Sequence, residues 1–388
     1  MDITTALLII VGLYLLVYVI AQAVGVDKLS QKGLEAGTPF FLMWKTERLN
    51  AFLTRMGKKF PVAFFNLGVI VAFGGMIVGF WMFGDNLLRF FIAPDTAGGV
   101  VPIIPGVTIT GLPLIYMLFG LAITLIVHEF AHGLASAKDG IPIKSSGLLA
   151  FLVLFGGFVE PDEDVFEQEA SPKARMRLLA AGSYANLIWS FFFLVIIWNM
   201  GPILSVGFNP PSGAYIYDIV PESPASQTLE LGDVIIGLNE TEIDNWYGVS
   251  LFMTNTTTGD SVTVHTLRGT FQMTLGNATP DSTRGYIGVY GADYWEPKPG
   301  FDLLFDPMFA FHFQQLMSWT FIILFSVALF NLLPVPFLDG DKLLSNGLSL
   351  RIKDEKKIRY IMWPARIAAL SIVILSIALT FLTGKALF

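Results

Sequence analysis

The residues best suited to chemistry are five consecutive ones, His128-Glu-Phe-Ala-His132. On a helix, residues four apart lie on one face, so the two histidines can bind one metal ion together. Glu129 lies between them, where its carboxylate can reach a water molecule on that metal. The segment that precedes the motif, 112–127, contains no charged side chain. The motif therefore predicts hydrolytic chemistry at membrane depth.

The composition is that of a membrane protein. Of the 388 residues, 54% are hydrophobic and 14% are charged, whereas soluble domains carry about 25% charged residues. The net charge of −7 does not favour nucleic-acid binding, because phosphate groups are also negatively charged. The absence of cysteine excludes disulfides, thiolate catalysis and cysteine metal ligands. Any metal must therefore be held by His, Asp, Glu or Asn side chains, and the chain has four histidines.

A catalytic zinc ion usually takes three protein ligands, so the motif needs one more from another segment. The best candidate is Asp339, which follows Pro334 and Pro336. Prolines break a helix and free its backbone, and an unwound turn can bring a carboxylate to a metal. The alternative is an interfacial carboxylate that pairs with Lys342 or is simply solvated.

A second polar residue lies in an apolar segment. Gly182 and Asn186 are four apart and share a helix face. Gly182 would allow close helix packing, and the Asn186 amide would bind the substrate backbone or a developing oxyanion. Ordinary interhelical hydrogen bonding is the alternative, which the spacing alone favours. The two remaining histidines, His265 and His312, are predicted to be structural.

Six apolar segments reach the length of about 20 residues that a membrane-spanning helix needs. The first resembles a signal peptide but lacks a basic leader, so we predict a retained anchor. The predicted fold is an α-helical polytopic membrane protein. The six predicted transmembrane helices lie near 3–24, 61–83, 112–137, 178–200, 308–333 and 361–383.

Lysine and arginine in the loops predict the orientation. Loops 25–60 and 338–360 are rich in both, whereas loop 84–111 contains only Arg89. The first two loops are therefore predicted to be cytoplasmic. This places the metal motif toward the cytoplasmic side of the membrane.

The segment 147–159 is apolar but too short to span the membrane. Glycines interrupt it, and non-helical backbone at membrane depth must line a cavity within the protein. We therefore predict a membrane-embedded, β-like re-entrant element beside the motif helix. The alternative is a cytoplasmic loop that lies against the bilayer.

Residues 201–307 differ in being polar and rich in Gly and Pro. Alternating polarity at 214–220 and 262–267 predicts strands. Because the domain follows the fourth predicted span, it is predicted to be extracytoplasmic. Three Asn-x-Thr sequons, at Asn239, Asn255 and Asn277, agree with that side.

Together these residues resemble the site-2 protease family of intramembrane zinc metalloproteases. The resemblance rests on His-Glu-x-x-His at 128–132, Gly-x-x-x-Asn at 182–186 and an Asn-Pro-Asp-Gly pattern at 331–340, in the family's order. It implies that Asp339 is the third zinc ligand and that Glu129 is the general base. It also matches 147–159 to the family's membrane-embedded β element.

Residues 205–295 resemble a PDZ domain of the kind that many family members insert. The similar stretches are 223–225, 231–235 and 238–239, and the carboxylate-binding loop would correspond to 211–216. The predicted inserted domain is small and mixed α/β. The chain then divides into two N-terminal helices (1–111), a first catalytic half (112–200), the PDZ-like domain (201–307) and a second catalytic half with the last helix (308–388).

The resemblance implies a zinc metalloendopeptidase in the lipid bilayer of the cell, with Glu129 and Asn186 as catalytic residues and His128, His132 and Asp339 as Zn²⁺ ligands. Its expected substrates are single-span membrane proteins in regulated intramembrane proteolysis, already trimmed outside by a site-1-type protease. One alternative is a catalytically inert PDZ-type membrane adaptor. Another is a transporter with a His/Glu relay, against which the lack of detectable internal repeats argues.

Overall fold

The computed structural model describes residues 3–104, 108–151, 154–277 and 283–385. They form two compact units, the membrane unit (1–195 and 316–388) and the inserted unit (196–315). The helices are α1 Ile3–Val24, α2 Val26–Ser30, α3 Glu47–Lys59, α4 Val62–Ile92, α5 Gly111–Lys138, α6 Pro172–Trp198, α7 Met200–Leu204, α8 Trp246–Met253, α9 Met308–Leu332, α10 Asp339–Ser349 and α11 Glu355–Leu382. The strands are β1 Leu34–Thr38, β2 Phe41–Lys45, β3 Ile143–Phe151, β4 Leu154–Pro161, β5 Ala214–Ile219, β6 Val234–Leu238, β7 Thr241–Glu242, β8 Ser261–Thr266, β9 Thr270–Thr274, β10 Gly276–Asn277, β11 Gly285–Tyr286 and β12 Val289–Asp293.

Five helices of the described chain are long and apolar enough to cross a membrane, namely α4, α5, α6, α9 and α11. They coincide with five of the six segments that the sequence predicted, and they make the protein an integral membrane protein. The first segment forms helix α1, but its described apolar part, Val11–Val24, is shorter than a membrane span. The sixth span therefore stays a prediction.

The membrane unit contains a four-stranded antiparallel sheet in the order β1-β2-β3-β4. Strands β3 and β4 include the segment 147–159, whose predicted extended conformation is confirmed, with Ser146 opposite Val159. Residues 152 and 153 of that segment lie outside the described residues. The sequence did not predict the hairpin of β1 and β2, which extends this sheet through β2.

Strand β4 packs directly on helix α5. A Cβ atom on Gly156 would lie 2.9 Å from Leu125 Cδ1, and one on Gly157 would lie 3.3 Å from Ile126 Cα. Contacts shorter than about 3.4 Å do not accommodate a side chain without movement of the neighbour. The two glycines therefore allow a close approach where the strand meets the helix that carries the metal motif.

The buried core beside the motif is built from small and aromatic side chains. Ala131 and Ala135 of α5 pack with Leu178 and Ala181 of α6 and with Phe65 of α4. Small residues allow helix backbones to approach closely in a membrane, where apolar burial gives little drive for helix association. This close approach brings α6 beside the two motif histidines.

The inserted unit has a sheet in the order β12-β5-β6-β8-β9, with β7 paired to β6 and a separate ladder of β10 and β11. Strands β5 and β8 confirm the two predicted strands. Its core includes Ile216, Ile235 and Val264, and α8 supplies Val249. The sequon at Asn277 continues into residues 278–282, which lie outside the described residues.

The prediction of a carboxylate-binding loop at 211–216 is wrong. Strand β5 begins at Ala214 and is hydrogen-bonded to β12 on one side and to β6 on the other. Ile216 is fully buried in the core. A peptide can add only to an open strand edge, and Ala214 to Ile216 are hydrogen-bonded on both sides.

Candidate metal centre

Three side chains that can bind a metal converge in the membrane unit. His128 and His132 lie one turn apart on α5, and Asp339 is the first residue of α10. The Nε2 atoms of the two histidines are 3.0 Å apart. Asp339 Oδ2 lies 3.1 Å from His128 Nε2 and 3.3 Å from His132 Nε2. Among the described residues, these three form the one such group of His, Asp or Glu side chains.

The spacing of these donor atoms fits a tetrahedral metal ion. Zinc binds imidazole nitrogen and carboxylate oxygen at about 2.0–2.2 Å, which gives neighbouring ligand atoms a separation of roughly 3.3 Å. The three measured separations are 3.0, 3.1 and 3.3 Å. Two imidazoles and one carboxylate are also a donor set typical of catalytic zinc. The fourth position of such an ion would remain for water or substrate.

Gly182 leaves the space that such an ion would fill. A Cβ atom at this position would lie 2.6 Å from the Nε2 atoms of both His128 and His132. The four-residue spacing of Gly182 and Asn186 predicted close helix packing at Gly182. The structure gives a more specific reason for the glycine, because even a methyl group would obstruct the two Nε2 atoms that face Asp339.

The backbone of α6 fixes the orientation of His132. Its Nδ1 atom donates a hydrogen bond to the carbonyl oxygen of Leu178, at 2.8 Å. A proton on Nδ1 leaves the Nε2 lone pair free to face Asp339 and His128. A hydrogen bond of this kind fixes the tautomer and the ring plane of a metal-binding histidine.

Asn186 lies beside the other motif histidine, His128. Its amide nitrogen lies 3.2 Å from His128 Nδ1, and its Oδ1 atom has no hydrogen-bond partner within the described structure. If His128 gives its Nε2 lone pair to a metal, its Nδ1 carries a proton and needs an acceptor. Rotation of the amide by a half-turn places Oδ1 to accept that proton. The side chain is fully buried and contacts the metal-ligand ring, rather than an open surface.

Glu129 faces the sheet. Its Oε2 atom accepts a hydrogen bond from the backbone N–H of Val159, at 3.2 Å. Val159 belongs to β4, which pairs with β3 on its other side. The carboxylate between the two motif histidines is thus held at the outer edge of β4.

Asp339 reaches the histidines through a break between α9 and α10. Helix α9 ends at Leu332 and α10 begins at Asp339. The intervening Phe337 has a φ of 77°, which is unusual for a residue with a side chain and indicates local backbone strain. The predicted unwound turn is therefore present, and Asp339 contacts the two histidines.

Arg366 is a residue that the sequence analysis missed. Its guanidinium forms two hydrogen bonds to Asp341, with Nε–Oδ1 at 2.6 Å and Nη2–Oδ2 at 2.7 Å. Asp341 lies two residues after Asp339, so the pair connects the start of α10 to α11. An arginine inside the predicted span 361–383 was the available signal, because ionisable residues in spans commonly have a function.

The other two histidines lie in the inserted unit. His265 is in β8, and its Nδ1 lies 3.1 Å from Thr270 Oγ1 in β9. His312 is in α9, where its ring contacts Phe311. Both placements agree with the structural roles that the sequence predicted.

Residues 116–374 match the sequence profile of peptidase family M50. The match covers more than half of the chain. The protein belongs to this peptidase family. Its resemblance to site-2 proteases, first suggested by three short motifs, is confirmed by a match that extends well beyond them.

Two curated relatives are similar to this member of the M50 family. An uncharacterized protein of Methanocaldococcus jannaschii is 31% identical over 244 residues, which cover 63% of this chain and 57% of that protein. A membrane-bound transcription factor site-2 protease homolog of Arabidopsis thaliana is 24% identical over 209 residues, which cover 51% of this chain and 39% of that one. The matched regions thus span about half the length of these relatives.

Two solved structures are similar to part of this M50 peptidase. They are the PDZ domains of SdrC-like proteins from Listeria monocytogenes and Listeria innocua. The first is 20% identical, covers 21% of this chain and 87% of that one, and has a TM-score of 0.19. The second is 19% identical, covers 20% of this chain and 92% of that one, and also has a TM-score of 0.19.

Proposed function

We propose that this protein is a zinc-dependent intramembrane protease that cleaves transmembrane segments of single-span membrane proteins. The observation that carries the proposal is the triangle of donor atoms from His128, His132 and Asp339, with Glu129 beside it on α5. Bound zinc supplies Lewis-acid chemistry, which acidifies water and polarises a carbonyl group. Membership of a peptidase family supports the choice of a peptide bond as the target.

Glu129 is proposed as the general base. Its carboxylate takes a proton from the attacking water and later gives it to the leaving amine nitrogen. The hydrogen bond from Val159 holds the carboxylate at the side of α5 that faces β4. Asn186 holds His128 in place and is proposed to support the reaction in that way, rather than by contact with the substrate.

The outer edge of β4 is the proposed docking site for the scissile segment. A helix protects its amides by internal hydrogen bonds, so a transmembrane substrate must unwind before cleavage. Val159 directs its N–H away from β3, and Gly157 and Phe155 share that direction by the alternation of a strand. An extended segment that pairs with this edge would satisfy its own backbone groups and pass beside Glu129.

The cellular setting is part of the proposal. The basic loops support a multi-pass protein of the cell membrane whose active site lies toward the cytoplasm and whose inserted unit lies outside. Substrates would be trimmed outside by a site-1-type protease before entry, as in regulated intramembrane proteolysis. A cleft of about 240 Å³ in the inserted unit, lined by Trp246, Val249 and Tyr286, is a candidate docking site for the trimmed end.

Metal analysis and a cleavage assay on the purified full-length protein test the proposal. We expect one zinc ion per chain and cleavage of a model transmembrane substrate. Glu129→Gln should keep the metal and lower cleavage by about 10²–10⁴-fold, since a glutamine cannot accept the proton. Asp339→Asn should lower zinc content.

Asp164→Asn, which changes an exposed carboxylate, serves as the control and should behave as the parent protein. Full activity of Glu129→Gln would rule out the proposed base. Unchanged zinc in Asp339→Asn would remove that residue as a ligand. Absence of both zinc and cleavage would favour the inert adaptor.

A further inference from the structure

Two segments, residues 198–209 and 296–309, join helices α6 and α9 to the sheet of the inserted unit, and we call them the two linkers. They are bonded to each other. Lys298 N donates to the carbonyl oxygen of Gly207 at 2.9 Å, and Lys298 Nζ donates to that of Ser205 at 2.6 Å. Asn209 N donates to the carbonyl oxygen of Glu296 at 2.8 Å. These bonds hold the two linkers together.

Four phenylalanines contact one another in a row along the linker pair, from the buried Phe208 to Phe301, which is 37% exposed. Phe208 and Phe309 stack with ring centroids 5.9 Å apart and planes within 1° of parallel. Phe305 lies 4.3 Å from Phe309, and Phe301 lies 6.1 Å from Phe305. These ring contacts connect the two linkers in addition to their hydrogen bonds.

Other large apolar side chains of the same linkers point outward. We call Trp198, Val206, Leu303 and Leu304 the apolar collar. Their exposed fractions are 83%, 72%, 84% and 78%. Isolated exposed apolar residues are common, but four large ones on two segments that are hydrogen-bonded to each other indicate a surface that contacts an apolar partner.

The position of the apolar collar in the chain indicates that partner. Helix α6 ends at Trp198 and α9 begins at Met308, and both are candidate membrane spans. Both span ends connect to the inserted unit, so they emerge on the same side of the bilayer. We therefore expect collar residues close to those ends at the height of the lipid headgroups, where tryptophan is enriched.

We propose that the apolar collar inserts into the boundary between lipid headgroups and acyl chains, and so anchors the inserted unit to the membrane surface. The surface it contacts is that of a zwitterionic bilayer. The acidic side chains beside the two leucines, Asp302 and Asp306, are exposed and do not favour anionic lipids. Insertion is therefore driven by the apolar side chains, as for other interfacial segments.

Single fluorescent labels test this anchor, because the chain has no cysteine of its own. Leu303→Cys and Leu304→Cys, each labelled with an environment-sensitive dye, are placed in phosphatidylcholine nanodiscs as the full-length protein. Tyr247→Cys on α8 is the matched control, since Tyr247 is also an exposed large side chain, at 72%. All three positions are exposed, so the fold should tolerate the labels.

We expect blue-shifted emission from the dyes at positions 303 and 304. Lipids that carry a nitroxide near the headgroup should quench these two dyes about threefold or more strongly than the dye at position 247. Equal lipid quenching at all three positions would overturn the proposal. Protection of 303 and 304 from both lipid nitroxide and aqueous iodide would also overturn it, because protein, such as a second copy of the chain, would then cover the collar.

Discussion

Arg366 and Asp341 form a salt bridge of two parallel hydrogen bonds, 2.6 and 2.7 Å long. The Asp341 side chain is 9% exposed and that of Arg366 is 29% exposed. The arginine of α11 thereby fixes the first turn of α10, whose first residue is Asp339. Helix α11, which supplies none of the three candidate metal-binding side chains, thus contacts the turn that presents Asp339.

The first prediction concerns this salt bridge. Arg366→Gln leaves Asp341 buried without a cation, which costs on the order of 3 kcal/mol in comparable buried pairs. The loosened α10 should weaken zinc binding about 10–100-fold, as loss of a supporting contact does in other metal sites. Competition with a chelator measures the affinity. Arg366→Lys should be intermediate, because a lysine cannot form both bonds.

Arg89→Gln provides the control for that experiment. Arg89 pairs with Asp85 four residues earlier on α4, and both side chains are at least 40% exposed. Such exposed pairs contribute about 0.5 kcal/mol. Zinc affinity should therefore remain that of the parent protein. Equal affinity in the Arg366 and Arg89 variants would show that α10 does not need α11 to present Asp339.

The second prediction concerns Gly182. Gly182→Ala places a methyl carbon 2.6 Å from the Nε2 atoms of both motif histidines. We expect loss of bound zinc and of activity, while the protein still folds. Gly74→Ala is the matched control in helix α4, where a Cβ meets nothing within 4 Å. That control should keep zinc, and its helix should gain up to about 1 kcal/mol from the better helix former. The zinc content of both variants tests whether a side chain at position 182 blocks the metal site. Full zinc occupancy in Gly182→Ala would show that it does not.

The third prediction separates two roles for Asn186. If its Oδ1 accepts the Nδ1 proton of His128, then Asn186→Asp keeps an acceptor and should keep zinc. Asn186→Leu removes the acceptor and should weaken zinc binding about 10–100-fold. A substrate-binding amide would behave differently: both variants would lose cleavage, and both would keep zinc. Zinc affinity and cleavage rate measured side by side distinguish these results.

The fourth prediction concerns pH and the inserted unit. Hydrogen bonds from Arg268 to the buried Asp233 hold the pKa of that carboxyl below its usual value. A carboxyl with a lowered pKa stabilises the fold above its unfolded pKa of about 3.9, and this stabilisation is lost as pH falls through the lower, folded pKa. Arg268→Gln should therefore lower the unfolding temperature at neutral pH and flatten its decline below about pH 4.

Thermal unfolding followed by tryptophan fluorescence over this pH range measures the effect. Glu230→Gln is the control, because Glu230 is a second partner of Arg268 but is 72% exposed. It should leave the pH profile nearly unchanged, since exposed pairs contribute little. A parallel pH profile for the parent protein and Arg268→Gln would exclude the proposed role of Asp233.

The parts of this structure that the sequence predicted are those set by local pattern. Hydropathy over about 20 residues located α4, α5, α6, α9 and α11. A spacing of four placed His128 and His132 on one face, and two prolines marked the break before Asp339. In each case the relevant residues are near one another in the chain, so the physical cause is visible in the order of residues.

The parts that escaped prediction depend on distant pairing. Strand β5 became an interior strand because β12, some seventy residues later in the chain, lies beside it, and that neighbour excluded the loop at 211–216. The β1 and β2 hairpin joined β3 across α3, α4 and α5. Arg366 and Asp341 are likewise on separate helices. No local pattern encodes which of several strands or charged residues will meet.

The residues of the candidate metal centre are synthesised far apart in time. Asp339 lies 211 positions after His128, and the whole inserted unit is translated between them. A nascent chain that has not reached Asp339 holds two imidazoles and Glu129 but no complete donor set. The order of translation thus delays assembly of the proposed zinc site until the inserted unit has been synthesised, so an unfinished chain holds an incomplete set of the proposed ligands.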